Sequence, residues 1–346
     1  MLSALALLVT SGVVLPAAGA APASAGEEDR LTRLASTAEP CPMRMLAAPP
    51  GTLRAAVTGS DPTGRFQVGY AWNGTGNYRL VRWTDGVPQD LGAEHGGAGN
   101  GINVHGHAVG YVSEDATGKI TAWSYRGTGF SKLPGLSAEA GSLAFAINAG
   151  GTVAGASRGA NGDVPVTWTP DGSVRQLALP PGHTRGQALG IDDDGTVVGW
   201  SADQGPQHAV RWLPNGVVEQ LPQLQPGNGH GTTAASIRGG HIIGQEIAGT
   251  TVVRTLAVVW RKGAATAESL GEGEPQAVNP SGAVVVRPTP DVKLRLIEPN
   301  GTVRALPTDT TPYPTGEVTA LTDDGVAYGR WNSTPVSWDC RTPRTA

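Results

Sequence analysis

Three of the seven histidines recur at matching places. His95, His183 and His230 stand 7, 8 and 7 residues before Ile102, Ile191 and Ile237, and His208 falls in a further loop. Imidazoles around one opening would suit a divalent cation or, at low pH, an acidic ligand; the alternative is a set of solvated loop histidines, and no metal site is assigned. Tyr111 and Trp200 each directly follow a glycine, as Tyr70 does, with Trp72 and Trp331 nearby. Rings at such places either stack on sugars and peptide side chains or end semi-buried strands. The acidic runs Asp192-Asp193-Asp194-Gly195 and Thr322-Asp323-Asp324-Gly325 are too short for a calcium loop with its distal glutamate, and tight turns want these residue types anyway. No G-x-S-x-G, H-E-x-x-H or phosphate loop is present, and no cofactor is expected. His183, His230 and Glu246 are the residues on which a lyase or hydrolase would draw.

The elements that must hold these side chains are clearest between Ala188 and Leu221. Ile191 closes one apolar run, Asp192 to Gly195 make a turn, and Thr196 to Trp200 form a second run. Ala209 to Trp212 form a third, and Pro214-Asn215-Gly216 leads into Val217 to Leu221. Period-two patterning with turn residues between the runs predicts a four-stranded antiparallel meander.

This unit recurs along the chain. The glycine of its second run returns at Gly69, Gly110, Gly155, Gly199, Gly244 and Gly329, and the long last interval is filled by Val284 to Val286. The tryptophan of the third run returns at Trp83, Trp123, Trp168, Trp212, Trp260 and Trp338, with Leu296 and Ile297 in the sixth slot. Leu91, Leu133, Leu177, Leu221, Leu270 and Leu306 close the fourth runs. Seven units of about 43 residues, each with four strands, predict an all-β single seven-bladed β-propeller of four-stranded antiparallel blades. Small residues mark the first run (Gly99, Ala144, Ala188, Ala235, Ala277, Ala320), as an innermost strand crowded at an axis requires. Val57, Ile102, Ile147, Ile191, Ile237, Val278 and Leu321 anchor the seven copies.

The seventh copy stops just past Trp338 without a fourth strand. Met43-Arg44-Met45-Leu46 matches Val174-Arg175-Gln176-Leu177, so the ring is expected to be closed by the N-terminal strand, leaving no free edge. Cys41 and Cys340, the two cysteines, flank those two strands and are expected to form a disulfide. The remaining boundaries follow: a signal peptide at 1-25 (apolar run, then Ala23-Ser24-Ala25), a linker at 26-40, the propeller at 41-340 and a tail at 341-346. The signal lacks a basic residue near Met1.

Ile147-Asn148-Ala149-Gly150-Gly151-Thr152-Val153, His208-Ala209-Val210-Arg211-Trp212 and Asp90-Leu91-Gly92 resemble the extracellular HAF repeat of secreted bacterial proteins. The resemblance covers about residues 41 to 340 and departs where His-Ala is replaced, as at Thr121-Ala122 or Pro165-Val166. It implies secretion and a propeller-like repeat fold, and it transfers no catalytic residue.

A net charge of −4 with 16% charged residues and no basic run excludes a phosphate backbone as partner. No 18-residue apolar stretch follows the N-terminal one, so no internal membrane span is expected. The sequence points to a secreted, monomeric binding or scaffold module for a carbohydrate, peptide or surface protein, with an extracellular propeller lyase or hydrolase as the alternative. The ligand-binding candidates are His95, Tyr111, His183, Trp200, His208 and His230.

Overall fold

Short β-branched runs separated by Gly, Asn and Asp cannot build helices, and the described residues contain 27 strands and no helix. The structure, a computed structural model, describes residues 38–76, 78–92, 99–113, 118–159, 162–227, 230–249, 253–289, 293–307 and 316–341. The expected signal peptide, most of the linker, His95 and most of the tail lie outside them.

A short strand β1 (Met43–Met45) precedes β2 (Arg54–Ser60), β3 (Phe66–Trp72), β4 (Arg79–Thr84) and β5 (Val87–Gly92), which form one antiparallel sheet. The same order recurs in β6 (Gly99–Ile102), β7 (Ala108–Ser113), β8 (Ile120–Tyr125) and β9 (Phe130–Leu133). It recurs again in β10 (Gly141–Ile147), β11 (Val153–Gly159), β12 (Gly162–Trp168) and β13 (Val174–Gln176), and in β14 (Arg185–Ile191), β15 (Val197–Ala202), β16 (His208–Trp212) and β17 (Val218–Gln220). A seven-stranded sheet holds β18 (Thr232–Arg238), β19 (His241–Ala248), β20 (Arg254–Trp260), β21 (Glu268–Val278), β22 (Val284–Pro288), β23 (Arg295–Ile297) and β24 (Val303–Ala305). The last sheet joins β25 (Glu317–Leu321), β26 (Val326–Trp331) and β27 (Thr334–Asp339) to β1, in the order β1-β27-β26-β25.

The fifth and sixth repeats were expected as separate units, but one 11-residue strand, β21, serves both. Glu268 to Glu272 pair with β20, and Gly273 to Val278 pair with β22. The connection is too short for a loop, and the chain turns at Gly273, which has a φ of +138° and no room for a Cβ beside the Arg287 carbonyl.

Every first strand carries a β-bulge at an equivalent point. The ladder skips Thr58, Asn100, Phe145, Leu189, Ala235, Gln276 and Thr319. The bulge pushes a first-strand carbonyl towards the second strand, which explains the repeated glycine there. A Cβ at Gly69, Gly155, Gly199, Gly244 or Gly329 would lie 1.9 Å from the carbonyl oxygen of Ala56, Leu143, Gln187, Thr233 or Glu317. The first repeat corrects one alignment. Val57 pairs with Gly69 as Ala188 pairs with Gly199, so Ser60, not Val57, stands where Ile191 stands.

The repeated tryptophans are buried, and the indole N–H groups of five of them tie one repeat to the strand before it. Trp168, Trp212, Trp260 and Trp338 donate from Nε1 to the carbonyls of Pro134, Ala178, Pro222 and Pro307, at 2.8, 2.5, 2.7 and 2.9 Å. Each acceptor directly follows the leucine that closes the preceding repeat. Trp83 of the first repeat follows the same rule at the other end, donating to Ala47, the residue after Leu46, at 2.6 Å. Ile297 pairs with Val284 where Trp212 pairs with Val197, so the sixth repeat has no indole to offer.

Strand β1 reproduces the register of a fourth strand. Met43 pairs with Trp338 and Met45 with Val336, as Val174 pairs with Trp168 and Gln176 with Val166. Leu46 then donates its N–H to Pro335, as Leu177 does to Pro165. Cys41 and Cys340, both buried, form a disulfide with 4.6 Å between their Cα atoms.

Candidate functional site

Antiparallel meanders put the first-to-second and third-to-fourth turns on one side and the second-to-third and inter-repeat loops on the other. On the turn side the residues that follow Ile102, Ile147 and Ile191 are polar and buried, and each binds its neighbour. Asn103 Nδ2 donates to Asn148 O at 3.0 Å and Asn148 Nδ2 to Asp192 O at 3.3 Å, while Asp192 accepts the N–H groups of Gly239 and Gly240. The Ile-Asn of the motif is thereby a structural clasp. The two acidic turns contribute carboxylates to one cation: Arg238 Nη1 donates to Asp193 Oδ2 at 2.7 Å, and its Nε and Nη2 donate to Asp323 at 3.1 Å.

On the loop side, in the third and fifth repeats the second residue after the repeated glycine anchors the incoming inter-repeat loop. Buried Ser157 Oγ accepts the N–H of Leu136 at 2.9 Å. Buried Glu246 accepts those of Leu224 and Gln225 at 2.7 and 2.8 Å, which compensates its carboxylate for lost water. In the fourth repeat Ser201 holds a side chain instead: its Oγ shares a 2.7 Å hydrogen bond with His183 Nδ1. The His183 and His208 rings lie 5.3 Å apart. Desolvation and then the neighbouring His208 push the His183 pKa down, against a smaller pull from Asp203. Ser201 is fully buried, so its hydroxyl is placed to position the imidazole rather than to meet a substrate.

Beside this pair a polar chain crosses three sheets. Trp200 donates from Nε1 to Gln187 Oε1 at 3.3 Å, Gln187 Nε2 donates to Asp163 Oδ2 at 2.7 Å, and Asp163 pairs with Arg158 at 3.3 Å. Arg158 in turn acts on Tyr111, whose phenol pKa is raised by burial and drawn partly back by that guanidinium. Tyr111 also meets Phe145 edge to face at 6.4 Å. Of the sequence candidates, Trp200 lies in this chain with Tyr111 near its Arg158 end, while His183 and His208 form a separate pair on the other face of the same sheet, because Ser201 and Trp200 are consecutive in β15. His230 stands apart from these bonds, with its Nε2 2.5 Å from Gly249 O, and His95 lies outside the described residues. Sequence reasoning missed Phe145, Arg158, Asp163 and Gln187. The pairing Trp200↔Gln187 would have pointed to Gln187 once the bulge at Leu189 was known.

Among the described residues no group of three His, Cys, Asp or Glu side chains is placed to hold a metal ion. No helix among them is long and apolar enough to cross a membrane.

No family model matches this chain, and no curated protein matches it. Solved structures do. A catalytically inactive virginiamycin B lyase from Staphylococcus aureus with quinupristin shares 11% identity over 86% of this chain and 98% of its own, with a TM-score of 0.55. YCF48 bound to D1 peptide shares 13% over 90% of this chain and 99% of its own, with a TM-score of 0.54. At that identity the likeness defines the fold alone: this is a β-propeller-type repeat protein. On that fold this chain carries an N-terminal strand paired to β27, a disulfide beside it and the polar chain that ends at Trp200.

Proposed function

We propose that this chain is a seven-bladed ring, closed by β1, that serves outside the bacterial cytoplasm as a binding module and is a divergent relative of the HAF-repeat proteins. Residues 1-25 are its export signal, 26-40 a linker, 41-340 the propeller and 341-346 a tail, and it acts as a monomer. The disulfide supports an oxidising compartment. The Trp83 to Ala47 bond, and the Thr319 Oγ1 bond to Val57 O at 3.0 Å, support closure between the last sheet and the first.

The observation that carries the functional reading is the chain of bonds that connects Trp200 through Gln187 and Asp163 to Arg158, whose charge is felt by Tyr111. It sets two aromatic rings and a row of paired polar groups on one face, a composition suited to an uncharged, hydrogen-bonding ligand such as a carbohydrate or peptide. His183 and His208 form a separate pair on the other face of the same sheet. The test is retention of peptidoglycan, culture polysaccharides and surface proteins on immobilised protein, with product release followed in parallel. Retention without turnover, weakened at least about tenfold by Trp200→Ala, is expected, since losing a stacking ring costs about 1.4 kcal/mol or more. Turnover that disappears in His183→Ala would make the protein an enzyme instead.

A further inference from the structure

The seven bulge residues fall into two chemically different arcs. In four sheets the bulge side chain bonds across to the next sheet's first strand. Thr58 Oγ1 donates to Gly99 O, Asn100 Nδ2 to Ala144 O at 2.8 Å and Thr319 Oγ1 to Val57 O at 3.0 Å, while Gln276 Oε1 accepts the Val318 N–H at 2.8 Å. In the three consecutive strands β10, β14 and β18 the bulge residues are Phe145, Leu189 and Ala235, which cannot make such a bond. A bulge whose purpose was to fasten sheets would be polar in all seven places. Here two large apolar side chains are left half-exposed and the third position is an exposed methyl. They face a cavity of about 320 Å³ that all seven first strands line, together with Asn100, Gln276 and Arg238. That volume is at the small end of ligand pockets, enough for one ring and a short polar group.

The polar arc specifies the group beside the ring. Asn100 has committed its amide nitrogen to Ala144, so its Oδ1 is the end that accepts. Gln276 has committed its Oε1 to Val318, so its amide nitrogen is the end that donates. One acceptor and one donor match a single amide. Arg238, the charged residue of the lining, is held by Asp193 and Asp323, so the cavity offers no unopposed charge to an ion. Tyr111 packs edge-on against Phe145 and fixes that ring as a wall. We propose that this axial cavity binds an uncharged aromatic amide, such as a phenylalanine side chain with its own peptide group: the ring lies against Phe145, Leu189 and Ala235, and the amide lies between Asn100 and Gln276. The site meets the outer band at Phe145, against which Tyr111 packs, but Trp200 is not part of its lining, and different variants separate the two.

The probe is N-acetyl-L-phenylalaninamide, followed by saturation-transfer NMR on the full folded chain, with N-acetylglycinamide as the ringless control. Transfer to the ring protons is expected from the wild type and little to the control. Ala235→Trp fills the cavity from an exposed position and should weaken binding at least about tenfold, whereas Trp200→Ala should leave it unchanged. If Ala235→Trp fails to fold, as judged by near-ultraviolet circular dichroism, Leu189→Ala is read in its place, with a loss of about three- to tenfold expected from the missing apolar contact. No transfer from the wild type, equal transfer with the filled cavity, or a signal abolished by Trp200→Ala alone would each overturn the proposal.

Discussion

The indole positions and the bulge positions both repeat around the fold, and they repeat in opposite ways. At five of the seven indole positions the residue is the same and so is its bond: a buried Trp donates to the carbonyl after the preceding leucine. At the bulge positions the backbone is the same and the side chain is not, running through Thr, Asn, Phe, Leu, Ala, Gln and Thr. Constant identity with constant bonding is what packing between sheets demands. Constant backbone with varied side chains is how a rigid frame presents a chosen surface, and bulges are a common means of re-aiming a side chain.

The fastening half of this comparison is broken most severely at its covalent member. Replacing Cys41 and Cys340 by Ser should cost up to about 5 kcal/mol, because the bond closes a loop with a sequence separation of 299. Urea titration reads this directly, and an unchanged midpoint would mean that β1 holds without the bond. Next comes the contrast between the two sets of positions. Trp212→Ala should cost about 3–5 kcal/mol and Trp212→Phe about 1–3 kcal/mol, the latter from the orphaned Ala178 carbonyl, whereas Leu189→Ala should cost under about 1.5 kcal/mol. Equal losses at Trp212 and Leu189 would abolish the distinction.

The smallest effect is electrostatic and belongs to the loop side. Because burial and His208 depress the folded pKa of His183, the unfolded chain binds its proton more tightly. His183 therefore detracts nothing from stability above the unfolded value of about 6.5 and progressively more as pH falls from there to its folded value. His183→Asn should flatten the decline in melting temperature across that window, and curves that run parallel to the wild type would remove His183 as its source. His107 and His241, also depressed by burial, act in the same direction.

Much of the frame was legible in the sequence because it is carried by residue identity. The spacing of Gly199 and Trp212 from their counterparts marks the second and third strands, and the position of Cys41 beside Met43-Arg44-Met45 marks the pairing with β27. The bulges were not legible, since one extra residue among small ones leaves no periodic trace. Their effect is visible in the scatter of small residues: Ala188 precedes a bulge, Ala235 is one and Ala320 follows one. For the same reason Phe145 and Leu189 escaped notice in a strand expected to exclude bulk. Residues that act in pairs, such as Gln187 with Asp163, come from different repeats and meet only through packing.

Strand β1 has a consequence for the order in which the molecule is made. It leaves the ribosome long before its partner β27, so closing that pair is the slowest kind of contact to form. Until then β1 lacks its ladder partner and the last sheet lacks its fourth strand, an arrangement that invites association between unfinished chains. Cys41 cannot bond to Cys340 before Cys340 exists. Oxidation of that pair is therefore a chemical record that synthesis has passed β27 and that β1 has been brought beside it.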